Sequence, residues 1–185
     1  MSVQYEKGAG SNEKMRFHAL LHNYIRVPDV TTSSVSGLKG VRYMDKNANK
    51  QIFTEESESI VSKGQASDRV YQGGAPEVIL SANDASGKQV RVSRTQTFPD
   101  TTVWNPAEEG AKGMKDLHEG GWKEYICIEP GQVSSLAELQ AGNEVGLPTA
   151  LLLLFVLIIF SSCTVERDAD ARDHRRKEQG LRVRT

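Results

Sequence analysis

Cysteine is scarce. Cys127 and Cys163 are the two in a chain of 185 residues, and they stand in unlike surroundings with no metal-ligand spacing. A cysteine-built metal site is therefore not expected, and a reducing compartment is the simpler reading, with Cys127 a small core residue. Charge of one sign is missing as well. The net charge is −1, so nothing in the overall balance favours nucleic acid or another polyanion. The first thirty residues hold Glu6, Lys7, Glu13, Lys14 and Arg16 and no apolar run. No signal peptide is expected there, and the expected location is the cytoplasm. Helical periodicity is also rare in the main body: Glu108 to Leu117 is the single credible short helix. No internal repeat is visible, and the length suits one domain, or one domain with an appendage.

What remains is a series of short strand-like runs. Met1 to Glu13 is polar, without periodicity, and reads as a loop. Met15 to Val27 alternates aromatic and β-branched residues with polar ones before the Pro28-Asp29 turn. Val35 to Asp45 is a strand pair or a bent strand, with Gly37 and Gly40 as breakers. Asp45 to Lys50 reads as a solvated loop, and Ile52 to Val61 as an exposed edge. Asp68 to Tyr71 is another strand. Glu77 to Leu80 and Gln89 to Arg94 form a hairpin around Asn83-Asp84-Ala85-Ser86-Gly87. Thr102 to Pro106 ends a further strand. Many short strands with turn signals predict an all-β sandwich.

The chain is organised around Glu124-Tyr125-Ile126-Cys127-Ile128-Glu129-Pro130-Gly131. Ile126 and Ile128 share one face of a short strand, Tyr125 and Cys127 the other, so both faces should be covered. Glu129 then ends a buried strand before a Pro-Gly stop. A carboxylate in that position is either a strand-end turn residue or a catalytic base with a raised pKa. His22, Asp68 and Trp104-Asn105-Pro106 also lie at strand ends, where a sandwich can gather them over one sheet face. Each has a plainer reading: His22 and His18 as satisfied histidines, Asp68-Arg69 as a surface ion pair, Trp104 as core. Together, a histidine opposite a carboxylate makes an acid and base pair for a polar ligand such as a sugar.

Five stretches, in this order, resemble glucose-6-phosphate 1-epimerases, the hexose-6-phosphate mutarotases of the aldose 1-epimerase group. They are Phe17-His18-Ala19-Leu20-Leu21-His22-Asn23-Tyr24-Ile25-Arg26-Val27-Pro28-Asp29, Val35-Ser36-Gly37-Leu38-Lys39-Gly40, Asp68-Arg69-Val70-Tyr71, Val103-Trp104-Asn105-Pro106 and Ile126-Cys127-Ile128-Glu129-Pro130-Gly131. The resemblance covers roughly Met15 to Gly142. It implies a β-sandwich of the galactose-mutarotase type, and interconversion of the α and β anomers of a hexose 6-phosphate by a monomer without cofactor or metal. By the same resemblance His22 is the general acid at the ring oxygen, Glu129 the general base at the C1 hydroxyl, and Asp68 a hydrogen-bonding partner of sugar hydroxyls. The arginines and second histidine that precede the His22 motif in the family have no counterpart here, so Arg16, Arg26 and Arg69 are phosphate candidates by charge alone. Residues 1–142 are thus expected to be a partial, incomplete sandwich. Exposed edges would make such a chain poorly soluble or inactive. The competing reading is a non-catalytic carbohydrate-binding module that uses Asp68 and the Trp104 rim.

After Gly142 the family pattern stops. Val145 to Val165 is uncharged, and as a helix its 21 residues would rise about 31 Å, close to a bilayer core. An apolar helix is the expectation for 143–165. Three origins compete: a membrane anchor, a buried substitute for strands, or a terminus produced by a splice or frame shift. Residues 166–185 carry seven Lys and Arg against five Asp and Glu. The positive-inside rule would hold that end in the cytoplasm and the main body outside, which conflicts with the missing signal peptide. This charged tail is expected to be disordered or weakly helical.

Overall fold

A computed structural model describes residues 14–74, 76–140 and 142–143 in full, and strand pairing alone for five further segments. In chain order the strands are β1 (Ser2–Glu6), β2 (Lys14–Arg26), β3 (Ser34–Ser36), β4 (Arg42–Asp45), β5 (Gln51–Thr54), β6 (Ser59–Val61), β7 (Ser67–Tyr71) and β8 (Glu77–Ser81). There follow β9 (Gln89–Ser93), β10 (Asp100–Asn105), the helix α1 (Ala107–Ala111), β11 (Tyr125–Gln140), β12 (Glu144–Gly146), β13 (Val156–Ile159), β14 (Cys163–Glu166) and β15 (Gly180–Arg184). Short 3-10 turns occupy Lys46–Ala48 and Gly121–Glu124.

The larger sheet runs β13-β2-β11-β10-β7-β4-β5, with β14 also on β2, and the smaller runs β6-β3-β8-β9. All of these pairs are antiparallel. The expected all-β architecture is what the described residues adopt. Its core lies between the sheets. Ile25, Tyr43, Tyr71, Val103, Ile126 and Ile128 from the larger sheet meet Val35, Val78 and Leu80 from the smaller, with Trp122 and Leu38 closing the ends. Alternation along each strand explains which residues these are, because side chains two apart share a face. The even-numbered residues of β11 point into the core here, so Tyr125, Cys127 and Glu129 point to the opposite face.

Several local expectations hold. The segment expected from Met15 is the long β2, and the Asn83–Gly87 hairpin joins β8 to β9 in register Glu77↔Ser93 through Ser81↔Gln89. Gly37 and Gly40, at φ 94° and 78°, separate β3 from β4 and send them into different sheets. Ile52 and Phe53 are exposed on the edge strand β5.

Others are corrected. The Pro130-Gly131 stop does not end the strand. β11 pairs Tyr125–Cys127 against Tyr24–Arg26 and resumes at Gly131 opposite Leu20. Pro130, which has no N–H to donate, falls inside that interruption. There the Asn23 side chain donates to the Ile128 carbonyl at 3.3 Å. Gly131 is required for the resumption: a Cβ there would meet Leu20 Cδ1 at 2.7 Å and the Ala19 carbonyl at 2.9 Å. The helix expected over Glu108 to Leu117 shortens to Ala107–Ala111, since Gly110 and Gly113 each weaken a helical turn.

The apolar helix expected in 143–165 is not what the described part of that run forms. Val156–Ile159 and Cys163–Glu166 are strands on β2, which offers unpaired backbone groups to a run rich in β-branched residues. Residues 147–155 and 160–162 of that run lie outside the described residues. No helix among the described residues is long and apolar enough to cross a membrane. Ser2–Glu6, expected as loop, pairs with Gly180–Arg184 of the charged tail, whose residues 167–179 lie outside the described residues.

Candidate active site

The outer face of the larger sheet gathers the chemistry. In β10, Thr102 stands opposite Glu129 and Trp104 opposite Cys127, while β7 places Asp68 beside Trp104 and Val70 beside Thr102. On the other side of β11, Tyr24 stands opposite Cys127. His22, two residues before Tyr24, therefore projects from the same face towards Glu129. Strand alternation and the register of the sheet bring these side chains together.

Its centre is a contact between His22 Nδ1 and Glu129 Oε1 at 2.8 Å. The two atoms meet off the hydrogen-bond axis, so neither has an aligned hydrogen-bond partner among the described residues. Glu129 is 1% exposed, and burial raises its carboxyl above the usual range while the adjacent imidazole pulls it back. His22 is held by aromatic neighbours. It stacks on Tyr24 with centroids 4.7 Å apart and meets Trp104 edge-on at 5.5 Å. Tyr125 lies 5.3 Å from Tyr24 and 6.2 Å from Trp104. The result is an aromatic box against His22, with a half-buried Trp104 on its rim.

Asp68 lies two strands from Glu129, with Lys46 Nζ 3.0 Å from its Oδ1. That oxygen is buried and has no aligned hydrogen-bond partner. Asp68 and Trp104 also line an open groove with Asn47, Gln65, Glu108 and Met114. Trp104 and Asp68 are thus neighbours on one face and line one groove. His18 is elsewhere, with Nδ1 3.3 Å from the Gln132 carbonyl.

Asn105 lies in the Trp104-Asn105-Pro106 stretch expected at the sheet rim, whereas Asp100 and Lys46 carried no sequence signal of their own. Asn105 is fully buried and donates from Nδ2 to the Trp122 and Tyr125 carbonyls, both at 2.9 Å. Its Oδ1 accepts the Ala107 N–H at 2.9 Å and so holds Ala107 at φ 52°. This ties the end of β10 to the start of β11 just behind the aromatic box. Asp100, 1% exposed, accepts from the Val133 and Ser134 N–H groups at 2.8 and 2.6 Å and fixes the bend of β11 beyond Glu129. Lys46 sits in the segment expected to be solvated loop, yet turns back onto Asp68.

The phosphate candidates are engaged elsewhere. Arg69 points to the face opposite Asp68, where it meets Asp45 at 3.2 Å and Glu55 at 3.4 Å and lies 4.9 Å over the Tyr43 ring. Arg26 is 3.7 Å from Glu124 and Arg16 is 3.4 Å from Glu138. His22, Cys127 and Glu129 each bring a polar atom within 4.8 Å of the others, but burial pushes the Cys127 thiol up and opposes the thiolate a metal ion would need, so the trio makes a poor metal site.

The sequence profile of aldose 1-epimerases matches residues 1–151. A candidate glucose-6-phosphate 1-epimerase of Cenchrus ciliaris is 32% identical over 66% of this chain and 36% of its own length. Another, from Escherichia coli strain K12, is 29% identical over 62% of this chain and 37% of its own. This chain therefore matches little more than a third of either relative. Among solved structures, a candidate mutarotase of Salmonella typhimurium, YeaD, superposes with a TM-score of 0.62 at 20% identity. It covers 84% of this chain, which spans 47% of that protein. The likeness carries the fold.

Proposed function

From this chain's membership of the aldose 1-epimerase family, we propose that it interconverts the α and β anomers of an aldose, with a hexose 6-phosphate as the substrate class. The observation that carries the reading is the 2.8 Å approach of His22 and Glu129, both with unaligned polar atoms, on a face rimmed by Trp104 and Asp68. Anomer exchange needs a proton taken from the C1 hydroxyl and one given to the ring oxygen. Both oxygens are bonded to C1, so an acid and a base that act on them must stand side by side.

Glu129 Oε1 takes the C1 hydroxyl proton while His22 delivers one to the ring oxygen. The C1–O5 bond breaks, C1 becomes an aldehyde and O5 a hydroxyl. Rotation about C1–C2 presents the other face, O5 attacks C1, and the two protons return by the reverse path. The enzyme ends as it began. Burial serves this cycle because a base lifted towards neutrality can both take and return a proton. Asp68 accepts from sugar hydroxyls, and Trp104 offers a flat apolar edge to the sugar ring.

The relatives' names favour a phosphorylated hexose. Exchange spectroscopy on equilibrated glucose 6-phosphate and glucose tests this. Protein-dependent exchange of the phosphorylated sugar in excess of the free one supports the reading, and exchange at the spontaneous rate for both sugars refutes it. A sugar-binding module without catalysis would show line broadening but no exchange.

A further inference from the structure

Lys46 is the residue on this face that no sequence pattern singled out. It opens the 3-10 turn Lys46–Ala48, which Asp45 caps by accepting the Asn47 N–H at 2.9 Å. The turn follows β4, and β4 is paired to β7 with Asp45 opposite Arg69. That pairing delivers the Lys46 ammonium to 3.0 Å from Asp68 Oδ1, with the lysine side chain 38% exposed and the aspartate 24%.

The groups facing Glu129 come from four elements: His22 and Tyr24 on β2, Cys127 on β11 itself, Asp68 on β7 and Lys46 on the turn. Two carboxylates share one face of a sheet, and the base is buried. Alone, Asp68 would hold Glu129 protonated more firmly, because like charges oppose one another's ionisation. Lys46 stands against the carboxylate that does this.

We propose that Lys46 is a positioning residue of the site, whose ammonium fixes the Asp68 carboxylate at the groove and offsets its charge at Glu129. The inference rests on Glu129 being the base of the proposed reaction. The Lys46 and Asp68 charges act on the Glu129 carboxyl in opposite directions, lysine lowering and aspartate raising its proton affinity. A lysine suits the task better than an arginine engaged in a bidentate pair: its charge is compact, and its exposed stem can yield when a sugar hydroxyl takes a lobe of Asp68.

The test pairs two readouts on the full chain. The first is the titration of the Glu129 carboxyl carbon by NMR in protein labelled at glutamate, assigned by its loss in Glu129→Gln. The second is the pH profile of anomer exchange with glucose 6-phosphate. Lys46→Met is expected to move both the titration midpoint and the acid limb to higher pH, and to lower exchange several-fold at mildly acid pH while sparing it at alkaline pH. Asp68→Asn is expected to move them the other way, the double variant to return close to the parent, and Lys46→Arg to keep the parent midpoint. A midpoint unmoved in Lys46→Met overturns the inference, as does a double variant that stays with the Lys46→Met value. Shifted midpoints in a protein whose exchange never exceeds background support the role of Lys46 and overturn the proposed function instead.

Discussion

Asn105→Ala is the perturbation that most directly probes how the fold holds its candidate site. The side chain is fully buried and makes three bonds of 2.9 Å, to the Trp122 and Tyr125 carbonyls and from the Ala107 N–H. Truncation leaves two carbonyls and one N–H without these partners among residues that are all buried. A buried polar group deprived of its partner costs about 1–3 kcal/mol. Three groups at the low end, with partial relaxation, give about 3 kcal/mol. For a chain of this size that corresponds to a drop of about 6–12 °C in Tm. Asn105→Asp keeps the acceptor for Ala107 but sets an oxygen against two carbonyl oxygens, and is expected to be no better tolerated than alanine. Urea unfolding followed by tryptophan fluorescence reads the effect, with Trp122 and Trp104 both adjacent. A loss under about 1 kcal/mol for both variants would refute the reasoning, because the three bonds would then contribute no more than a surface contact.

Ala107→Gly, normally destabilising in a helix, is expected to stabilise by about 0.5–1 kcal/mol, because Ala107 holds φ 52°; the same urea titration reads it. Asp100→Ala is expected to cost about 2–4 kcal/mol, since it frees the Val133 and Ser134 N–H groups it now receives; faster amide hydrogen exchange at those two positions is its signature. Glu129→Gln is expected to abolish exchange yet raise stability above neutral pH by about 0.5–2 kcal/mol. The sign follows from burial raising the Glu129 carboxyl. The native state then binds the proton more tightly than the unfolded chain, so the carboxyl destabilises the fold as pH rises through its native pKa. The gain should vanish below the ordinary carboxylate range, and unfolding measured at pH 4 and pH 8 checks it.

The alternation in Ile126-Cys127-Ile128-Glu129 placed two isoleucines in the core and Glu129 on the other face, and strand chemistry alone located β2, β7, β8 and β9. What escaped was set by partners distant in sequence. Pro130-Gly131 looks like a stop because proline lacks a donor, but the strand continues where its ladder to β2 is already broken. The run around Val156 to Ile159 is apolar enough for a helix, and the open edge of β2 decides for strand. Lys46 and Asp100 are ordinary polar residues in the sequence. Only the register that brings Asp68 beside the first, and Val133 and Ser134 beside the second, gives them work. His22 and Glu129 were legible as a pair through the resemblance of their flanking motifs, whereas their 2.8 Å contact required the sheet.

The most direct measurement of the central claim is anomer exchange of glucose 6-phosphate by NMR, with spontaneous mutarotation subtracted, for this chain, His22→Ala and Glu129→Ala. The account predicts exchange above background in the parent and a loss of at least about 100-fold in each variant. Parent exchange that either variant retains would contradict it, as would a parent that never rises above the spontaneous rate.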